Sequence, residues 1–193
     1  MSRLGIRRGA RTLVRYEAAV GDPREAVTTM RLPREIEADP CHEAVREVLA
    51  AQTRQLWAGG TRATTVVPLT DALARALGAA VSGGVLRRGL EAAESALDAE
   101  RRGLAARPPE EAERRGARVS RLLLVTNDGA ERFYRQVERL IITHAPRVLA
   151  CLVDCDAATL GKLLYGDEAV AKLLLVERKT AVAGVLRALA AAR

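Results

Sequence analysis

Three short aliphatic runs, separated by helix-length amphipathic segments, constrain the fold more than any other feature of this chain. The runs are Leu122 to Val125, Val148 to Val153 and Leu173 to Val176. Uninterrupted aliphatic runs of this length are typical of strands that are buried on both faces of a sheet. Apolar residues recur at helical spacing in three other segments: Phe133 to Ile142, Ala158 to Leu164 and Thr180 to Leu189. The alternation predicts an α/β fold, a three-layer α/β/α sandwich with a small mixed sheet.

Polar turns follow the first two aliphatic runs. Asn127 and Asp128 come directly after the first run, and Asp154 and Asp156 follow the second. Ligand sites in layered α/β proteins usually lie where strands end, so both turns are candidate sites. The second turn also has a structural interpretation, because Asp156 or Thr159 can cap the helix that follows it. Two carboxylates in this turn would repel phosphate.

The chain divides into two predicted units near residue 70. Residues 71–193 form the layered domain, with a charged insertion at about 104–117 that contains two consecutive prolines. Residues 1–70 form a smaller α+β unit that precedes it. A chain of 193 residues is long enough for two such units.

Local signals predict the elements of the first half of the chain. Two short runs predict strand pieces: Leu13 to Tyr16 and Val66-Val67. Pro40 to Trp57 is predicted to be a helix, with Asp39 as its cap and Pro40 at its first position. Residues 70–103 are predicted to be helical, from a cap at Thr70 or Asp71.

The charge of the chain favours polyanionic partners. Lys and Arg together number 31 and Asp and Glu 24, which gives a net charge of +7 and a pI near 10. Only Lys162, Lys172 and Lys179 are lysines, so the basic character comes from arginine. Guanidinium groups bind phosphate in a bidentate manner and stack on bases. Codon usage in a GC-rich genome explains most of the preference for Arg over Lys, but it does not explain the positive net charge, which favours RNA as the partner.

Cysteine count and hydropathy set the expected compartment. The three cysteines are an odd number, which argues against a disulfide framework. No apolar run approaches the length of a membrane span, so no membrane association is expected. The first residues are basic and contain no apolar segment of the secretory type. A cytoplasmic bacterial protein is the expectation.

The order of the predicted elements resembles that of a known family. The parts are an aliphatic strand ending at Asp128, a helix, a second strand, a Leu160-Gly161 helix start, Gly166 and a last strand. Upstream, residues 82–91 resemble a glycine-led helix start. Over roughly residues 72–193 the chain resembles the kink-turn-binding ribosomal proteins of the L-seven-Ae type and their YlxQ-like bacterial relatives. The order of elements carries this resemblance, since no single motif is a strict fingerprint.

The resemblance implies an RNA site at a helix start. In the family, the helix that begins at this glycine meets the sheared pairs of a kinked RNA. Gly89 matches the glycine, Glu91 stands where the family has asparagine, and the expected Glu and Lys are replaced by Ala92 and Ser95. Arg87 and Arg88 flank the start and can hold phosphate, because exposed amides and basic side chains favour anions there. A plain solvated helix start is the alternative.

The N-terminal unit has a partial resemblance of its own. Leu13 to Tyr16 is similar to the Leu-x-Arg-aromatic strand of YlxR-like domains, which precede YlxQ-like domains in some bacteria. Arg31-Leu32-Pro33 stands where a basic turn is expected, and Cys41 begins the helix that follows. The paired cysteines and the Gly-Arg-Gly turn of that family are absent. The resemblance therefore implies a degenerate YlxR-like unit.

A basic surface near the first aliphatic strand is a further candidate. It consists of Arg118, Arg121, Arg132, Arg135 and Arg139, with the last three on one face of the predicted helix. Tyr134 is the nearby aromatic side chain that could stack on a base. A solvated helix face is the structural alternative. The candidate RNA-binding residues are Arg87, Arg88, Gly89, Glu91, Asn127, Asp128, Arg132 and Arg135.

Motifs for catalysis or for a metal are not evident. Cys41, His42, Cys151 and Cys155 lack the spacing of a tetrahedral zinc site, so no metal and no cofactor are expected. No nucleophile elbow or phosphate-binding loop occurs. Asp154 and Asp156 resemble the opening of haloacid-dehalogenase-like phosphatases, but too little chain follows them.

These observations predict a non-catalytic bacterial RNA-binding protein of the kink-turn-binding type. Its expected partner is structured RNA, either ribosomal or another non-coding RNA, in a ribosome, translation or RNA-processing context. Ribosomal or RNA-processing proteins are further candidate partners. The main alternative is a protein-interaction module that kept the fold and lost RNA binding. A phosphatase is the third and least favoured interpretation.

Overall fold

The computed structural model describes residues 29–191, without the side chains of residues 113–115. Its helices are α1 (Arg34–Glu37), α2 (His42–Ala51), α3 (Asp71–Ser82), α4 (Leu90–Ala105), α5 (Pro109–Gly116), α6 (Glu131–Thr143), α7 (Ala157–Tyr165) and α8 (Lys179–Ala190). Its strands are β1 (Thr53–Gln55), β2 (Ala63–Pro68), β3 (Leu86–Arg88), β4 (Arg121–Thr126), β5 (Val148–Asp154) and β6 (Leu173–Val176). No helix of this part of the chain is long and apolar enough to cross a membrane.

The strands form one mixed sheet in the order β1-β2-β5-β4-β6-β3. Strands β2, β5 and β4 are parallel neighbours, whereas β6 runs antiparallel to both β4 and β3. Strand β1 pairs with β2 in the antiparallel direction. The last residues of β2, β3, β4 and β5 therefore lie at one end of the sheet, here called the carboxyl end. The opposite end is called the amino end.

The three layers follow from the alternation of side chains along the buried strands. Leu122 and Leu124 of β4 pack into one apolar cluster, with α2, α3, α7 and α8. Leu123 and Val125 point to the opposite face and pack into a second cluster, with α4 and α6. Because both faces of β4 are covered, its sequence is aliphatic without interruption. The predicted α/β sandwich with a mixed sheet is confirmed.

The elements predicted in the second half of the chain occur where they were expected. The three aliphatic runs are β4, β5 and β6, and the three amphipathic segments are α6, α7 and α8. Two of the predicted caps form: the backbone N–H of Leu73 donates to Thr70 Oγ1 at 3.2 Å, and that of Thr159 donates to Asp156 Oδ1 at 2.6 Å. The predicted cap at Asp39 is wrong, because that helix begins at His42 without a side-chain cap. The charged insertion contains the helix α5.

Two helix predictions in the first half are too long. The helix predicted from Pro40 to Trp57 ends at Ala51, because residues 53–55 pair with β2 instead. The helix predicted over residues 70–103 is interrupted by Gly83, Gly84 and β3. Gly84 has φ +61°, a conformation that glycine adopts readily. Tertiary pairing overrides local helical propensity in both places.

The sheet and the core continue across residue 70. Strand β2 precedes that position and pairs with β5, with Val67 opposite Val153. Leu32, Ile36 and Leu49 are fully buried in the same cluster as β4 and α8. The predicted strand at Leu13 to Tyr16 lies outside the described residues.

Candidate nucleic-acid interface

Arg87 and Arg88 lie on β3, the outermost strand of the sheet, and both are exposed. Arg87 Nε is 2.9 Å from Glu177 Oε2 in a largely exposed ion pair. The Arg88 guanidinium lies over the ring of Tyr165, 4.9 Å from its centre. Tyr165 belongs to α7, and the contact therefore connects the edge strand to the helix at the carboxyl end.

Gly89 begins α4 immediately after these arginines. Its φ of +94° would strain any residue with a Cβ, and its N–H donates to the Leu173 carbonyl at 2.8 Å. No side chain caps the helix, and Glu91 stands exposed in its first turn. The helix dipole favours a carboxylate at that position. The helix start is thus fixed by backbone geometry, with Arg88 directly before it.

Asn127 and Asp128 connect β4 to its neighbours. Asn127 Nδ2 donates to Asp154 Oδ1 at 2.8 Å, and Thr126 Oγ1 donates to Asp128 Oδ1 at 2.7 Å. Burial alone would raise the pKa of Asp128. Hydrogen bonds from Thr126 and from backbone N–H groups, together with the charge of Lys172, lower that pKa below its usual range. Asp128 is therefore ionised at neutral pH.

The carboxyl end of the sheet has two parts of different charge. Asp128 follows β4, Asp154 is the last residue of β5 and Asp156 follows it, and these carboxylates make that part acidic. Arg87 and Arg88 make the β3 part basic. Phosphate groups would be repelled by the first part and attracted by the second. The predicted site residues at this end are thus divided between two different electrostatic environments.

Arg132, Arg135 and Arg139 lie on the exposed face of α6. Arg135 Nη2 is 2.5 Å from Glu131 Oε1, and both side chains are more than half exposed. The Arg135 guanidinium also lies over the indole ring of Trp57, 4.5 Å from its centre. The helix face predicted from the sequence thus meets the connection between β1 and β2.

Glu138 attaches this connection to α6. Its carboxylate accepts hydrogen bonds from Trp57 Nε1 at 2.7 Å and from the backbone N–H groups of Thr61 and Arg62 at 2.7 and 2.9 Å. Glu138 is 6% exposed. Burial would raise its pKa, but these hydrogen bonds lower it. A buried, ionised Glu138 holds Trp57 and Arg62 beside the arginines of α6.

Arg54 lies on the same side of the sheet. Arg54 is two residues before Leu56, which packs in the cluster that contains α6. Side chains two residues apart in an extended segment point to the same face of the sheet. Burial raises the pKa of Tyr134, and the positive charge of Arg54 is among the influences that oppose this shift. The surface that we call the arginine surface consists of Arg54 and Arg62 from the segment that carries Trp57, and of Arg132, Arg135 and Arg139 from α6.

The arginine surface carries charge that the protein does not neutralise. The guanidinium groups of Arg54, Arg62, Arg132 and Arg139 have no carboxylate within ion-pair distance among the side chains that the structure describes. Only Arg135 is paired, with Glu131. Unpaired guanidiniums keep their hydrogen-bond donors available to an anion.

Two arginines predicted to belong to this surface lie elsewhere. Arg118 pairs with Glu37, and Arg121 pairs with Glu100 at 2.5 Å with only 19% of its side chain exposed. Tyr134 is wrong as a stacking residue, because it is buried and its hydroxyl donates to the Thr126 carbonyl at 2.8 Å. Trp57 was not among the predicted site residues, because it lies far from α6 along the chain.

The groups considered for a metal do not come together in the described part of the chain, where no cluster of three or more His, Cys, Asp or Glu side chains could hold an ion. Burial raises the pKa of the Cys151 thiol to about 12 and that of Cys155 to about 11, so both are protonated at neutral pH. Comparison with known protein families finds no family model that matches this chain, and comparison with curated proteins finds no match.

Proposed function

We propose that this protein binds RNA without catalysing a reaction, and that the arginine surface is its main contact. The observation that carries the proposal is the presence of four unpaired guanidiniums on the two segments that meet at Trp57, the β1–β2 connection with its flanking residues and the exposed face of α6. A surface of this charge attracts phosphate, and binding releases the counterions condensed on the nucleic acid. Arg87 and Arg88 provide a second and smaller contact at the carboxyl end.

The attachment of the β1–β2 connection supports the proposal. Glu138 orients Trp57 and the backbone of Arg62, so the surface is built from two chain segments that are fixed to each other. Ordering these segments before binding reduces the entropy lost on association. The cost of burying the Glu138 carboxylate is compensated by its hydrogen bonds.

The order of elements that resembles the kink-turn-binding family also supports an RNA partner. Strand, helix, strand, Leu160-Gly161 helix, Gly166 and last strand follow one another as β4, α6, β5, α7 and β6. A Cβ on Gly161 would lie 2.1 Å from the Ala169 carbonyl oxygen, and only glycine therefore allows α7 to pack against this segment. The proposed setting is the ribosome, translation or RNA processing in a bacterial cytoplasm.

The runner-up function is a protein-interaction module, and one observation favours it. Leu163 and Tyr165 on α7 are 50% and 36% exposed, and Val170, five residues after this helix, is 55% exposed. An exposed apolar group of this kind is common at protein interfaces. These residues lie at α7, away from the arginine surface, so the two functions predict different sites of contact.

The proposal is tested by measuring RNA affinity as a function of salt for two charge-matched variants. Arg54, Arg132 and Arg139 are replaced by alanine in one, and Arg34, Arg75 and Arg178 in the other. The second set is also exposed and lacks carboxylate partners among the described residues. Both variants lose three positive charges, so a difference between them reports location rather than net charge.

The parent should bind total cellular RNA at low salt, with an affinity that falls steeply as salt rises. The first variant should bind more weakly, with a salt slope flatter by roughly 2 to 3 units, since each lost phosphate contact contributes about 0.7 to 0.9. The second variant should resemble the parent. Equal losses of RNA affinity in both variants would show that the arginine surface is not the main contact. If the parent did not bind RNA at low salt, RNA binding itself would be refuted.

A further inference from the structure

We infer that Trp57 is a stacking platform for an unpaired base, so that the arginine surface selects single-stranded RNA over a duplex. This inference rests on the proposed function and names the class of RNA that the same surface accepts. It depends on the position of the indole ring, on the group that covers it and on the charge around it.

The indole ring is held from two sides. Trp57 Nε1 donates to Glu138 Oε2 at 2.7 Å, which fixes the ring in its plane. Gly59 lies against the benzene part of the ring, because a Cβ at that position would come within 2.4 Å of Trp57 Cζ3. Gly60 N also donates to the Trp57 carbonyl at 3.0 Å, which closes the turn. A ring held in this way loses little side-chain entropy when a ligand stacks on it.

A removable group covers one face of the ring. The Arg135 guanidinium lies 4.5 Å from the ring centre, and its ion pair with Glu131 is exposed on both sides. Exposed pairs of this kind contribute little to stability, and a planar base can replace the guanidinium over the indole at small cost. The released Arg135 can then bond to a phosphate of the same strand.

The charge around the ring suits a flexible nucleic acid strand. Arg54 and Arg62 belong to the β1–β2 hairpin that carries Trp57, and Arg132 and Arg139 lie on α6 beside Arg135, which covers the ring. Basic side chains on both sides of an aromatic ring follow the backbone of a strand while a base turns toward the ring. Bases inside a duplex have no free face, so a duplex can use the arginines but not the indole.

The sole tryptophan of the chain makes the inference directly measurable. Intrinsic fluorescence of the full chain is recorded during titration with three probes: single-stranded oligouridylate and oligoadenylate, a blunt duplex of equal phosphate count, and inorganic polyphosphate. Saturation is measured separately by anisotropy of labelled RNA and by competition. Stacking of a base should quench Trp57 strongly with the single strands, and at equal saturation the duplex and polyphosphate should quench it much less.

Two substitutions separate stacking from charge. Trp57→Leu keeps an apolar side chain without a π face, and should weaken single-strand binding about tenfold while leaving polyphosphate affinity unchanged. Trp57→Phe keeps an aromatic face and loses the N–H, and should retain the preference for single strands. Because both variants lose the bond to Glu138, the phenylalanine variant controls for a loosened hairpin.

The outcomes distinguish the inference from the function on which it rests. Tight single-strand binding without quenching, or equal affinity of the leucine variant and the parent, would overturn the stacking platform and leave RNA binding intact. Equal quenching by polyphosphate and by single strands would also overturn it, since charge alone would then change the ring environment. No binding of any RNA would refute both.

Discussion

The arginine surface and the amino end of the sheet use the same side chain in opposite ways. At the amino end, Arg121 and Arg147 both donate to Glu100, and the side chains of the three residues are only 19%, 14% and 23% exposed. We call this group the Glu100 cluster. At the arginine surface, four of the five guanidiniums are unpaired in the described part of the chain. Paired arginines at the amino end stabilise the fold, whereas unpaired ones on α6 and the hairpin remain available to a ligand.

The contrast follows from the energetics of charge burial. A guanidinium that leaves water needs a carboxylate and good hydrogen bonds, because desolvation of an unpaired ion is costly. An exposed guanidinium needs neither, because water or a bound ligand solvates its charge. Pairing and exposure, rather than the number of arginines, therefore separate the two regions.

The largest effect should come from Glu100→Ala, which leaves Arg121 and Arg147 unpaired. Removing one partner of a largely buried ion pair costs about 3–5 kcal/mol, and we expect a loss of this order in the free energy of unfolding measured with urea. The RNA affinity of the protein that remains folded should be unchanged. Glu131→Ala removes an exposed pair and is the control, with an expected change within about 0.5 kcal/mol. Equal stability of the two variants would contradict the structural role of the Glu100 cluster.

Glu138→Ala should have a smaller effect on stability but should also impair the arginine surface. The substitution leaves the N–H groups of Trp57, Thr61 and Arg62 without their acceptor, at an expected cost of about 2–3 kcal/mol. The hairpin should then move relative to α6, so RNA affinity should fall and Trp57 emission should shift to longer wavelength. Unchanged emission and affinity would show that Glu138 does not position the surface.

The sequence predicts a structural feature well when the residues that form it are close together along the chain, and poorly when they are far apart. The buried strands could be predicted, because Leu122 to Val125 and Leu173 to Val176 carry a local pattern. The sequence analysis placed Arg121 and Arg132 in one basic surface. The sequence alone could not reveal this error, because Arg121 pairs with Glu100, which lies on another element. Trp57 meets α6 through contacts 78 to 81 residues away along the chain, and no local pattern records such a distance.

The pH dependence of stability should differ between the two regions. Burial lowers the pKa of His144 beside the Glu100 cluster, so the unfolded chain binds a proton more readily than the folded one. Stability should therefore fall as pH decreases below about 6.5, the usual pKa of histidine, until the folded value is reached. His144→Gln should remove this decrease. If the free energy of unfolding of the unsubstituted protein stayed constant between pH 7 and pH 5, this prediction would be contradicted.

Carboxylates with lowered pKa values should make the stability of the fold depend on pH in a second, more acidic range. Hydrogen bonds from the backbone and side chain of Cys41 and from Arg187 lower the pKa of Asp39 to about 2, and the pKa of Glu138 is also lowered. Such groups stabilise the fold above their unfolded pKa near 4, and this contribution is lost as pH falls toward the folded value. Unfolding monitored by circular dichroism should show the steepest loss below pH 4. Trp57 emission should report the protonation of Glu138 in the same window.

The smallest effect on stability and on binding should come from replacing Arg87 and Arg88 with alanine. One forms an exposed pair and the other stacks on Tyr165, so unfolding should change by less than about 0.5 kcal/mol. RNA affinity should fall for all sequences alike, with a salt slope flatter by at most about 1.4 units, since two contacts are lost. A loss larger than that of the triple variant at Arg54, Arg132 and Arg139 would reverse the order of the two contacts.

Crosslinking tests the location of the RNA most directly. The full chain is irradiated with single-stranded RNA that contains 4-thiouridine, and the crosslinked peptides are identified by mass spectrometry. Crosslinks should concentrate in residues 54–62 and 131–139, with Trp57 among the modified positions, and unlabelled RNA should compete them away. Crosslinks confined to residues 87–91 and 154–170 would place the RNA at the carboxyl end of the sheet and contradict the arginine surface as the main contact.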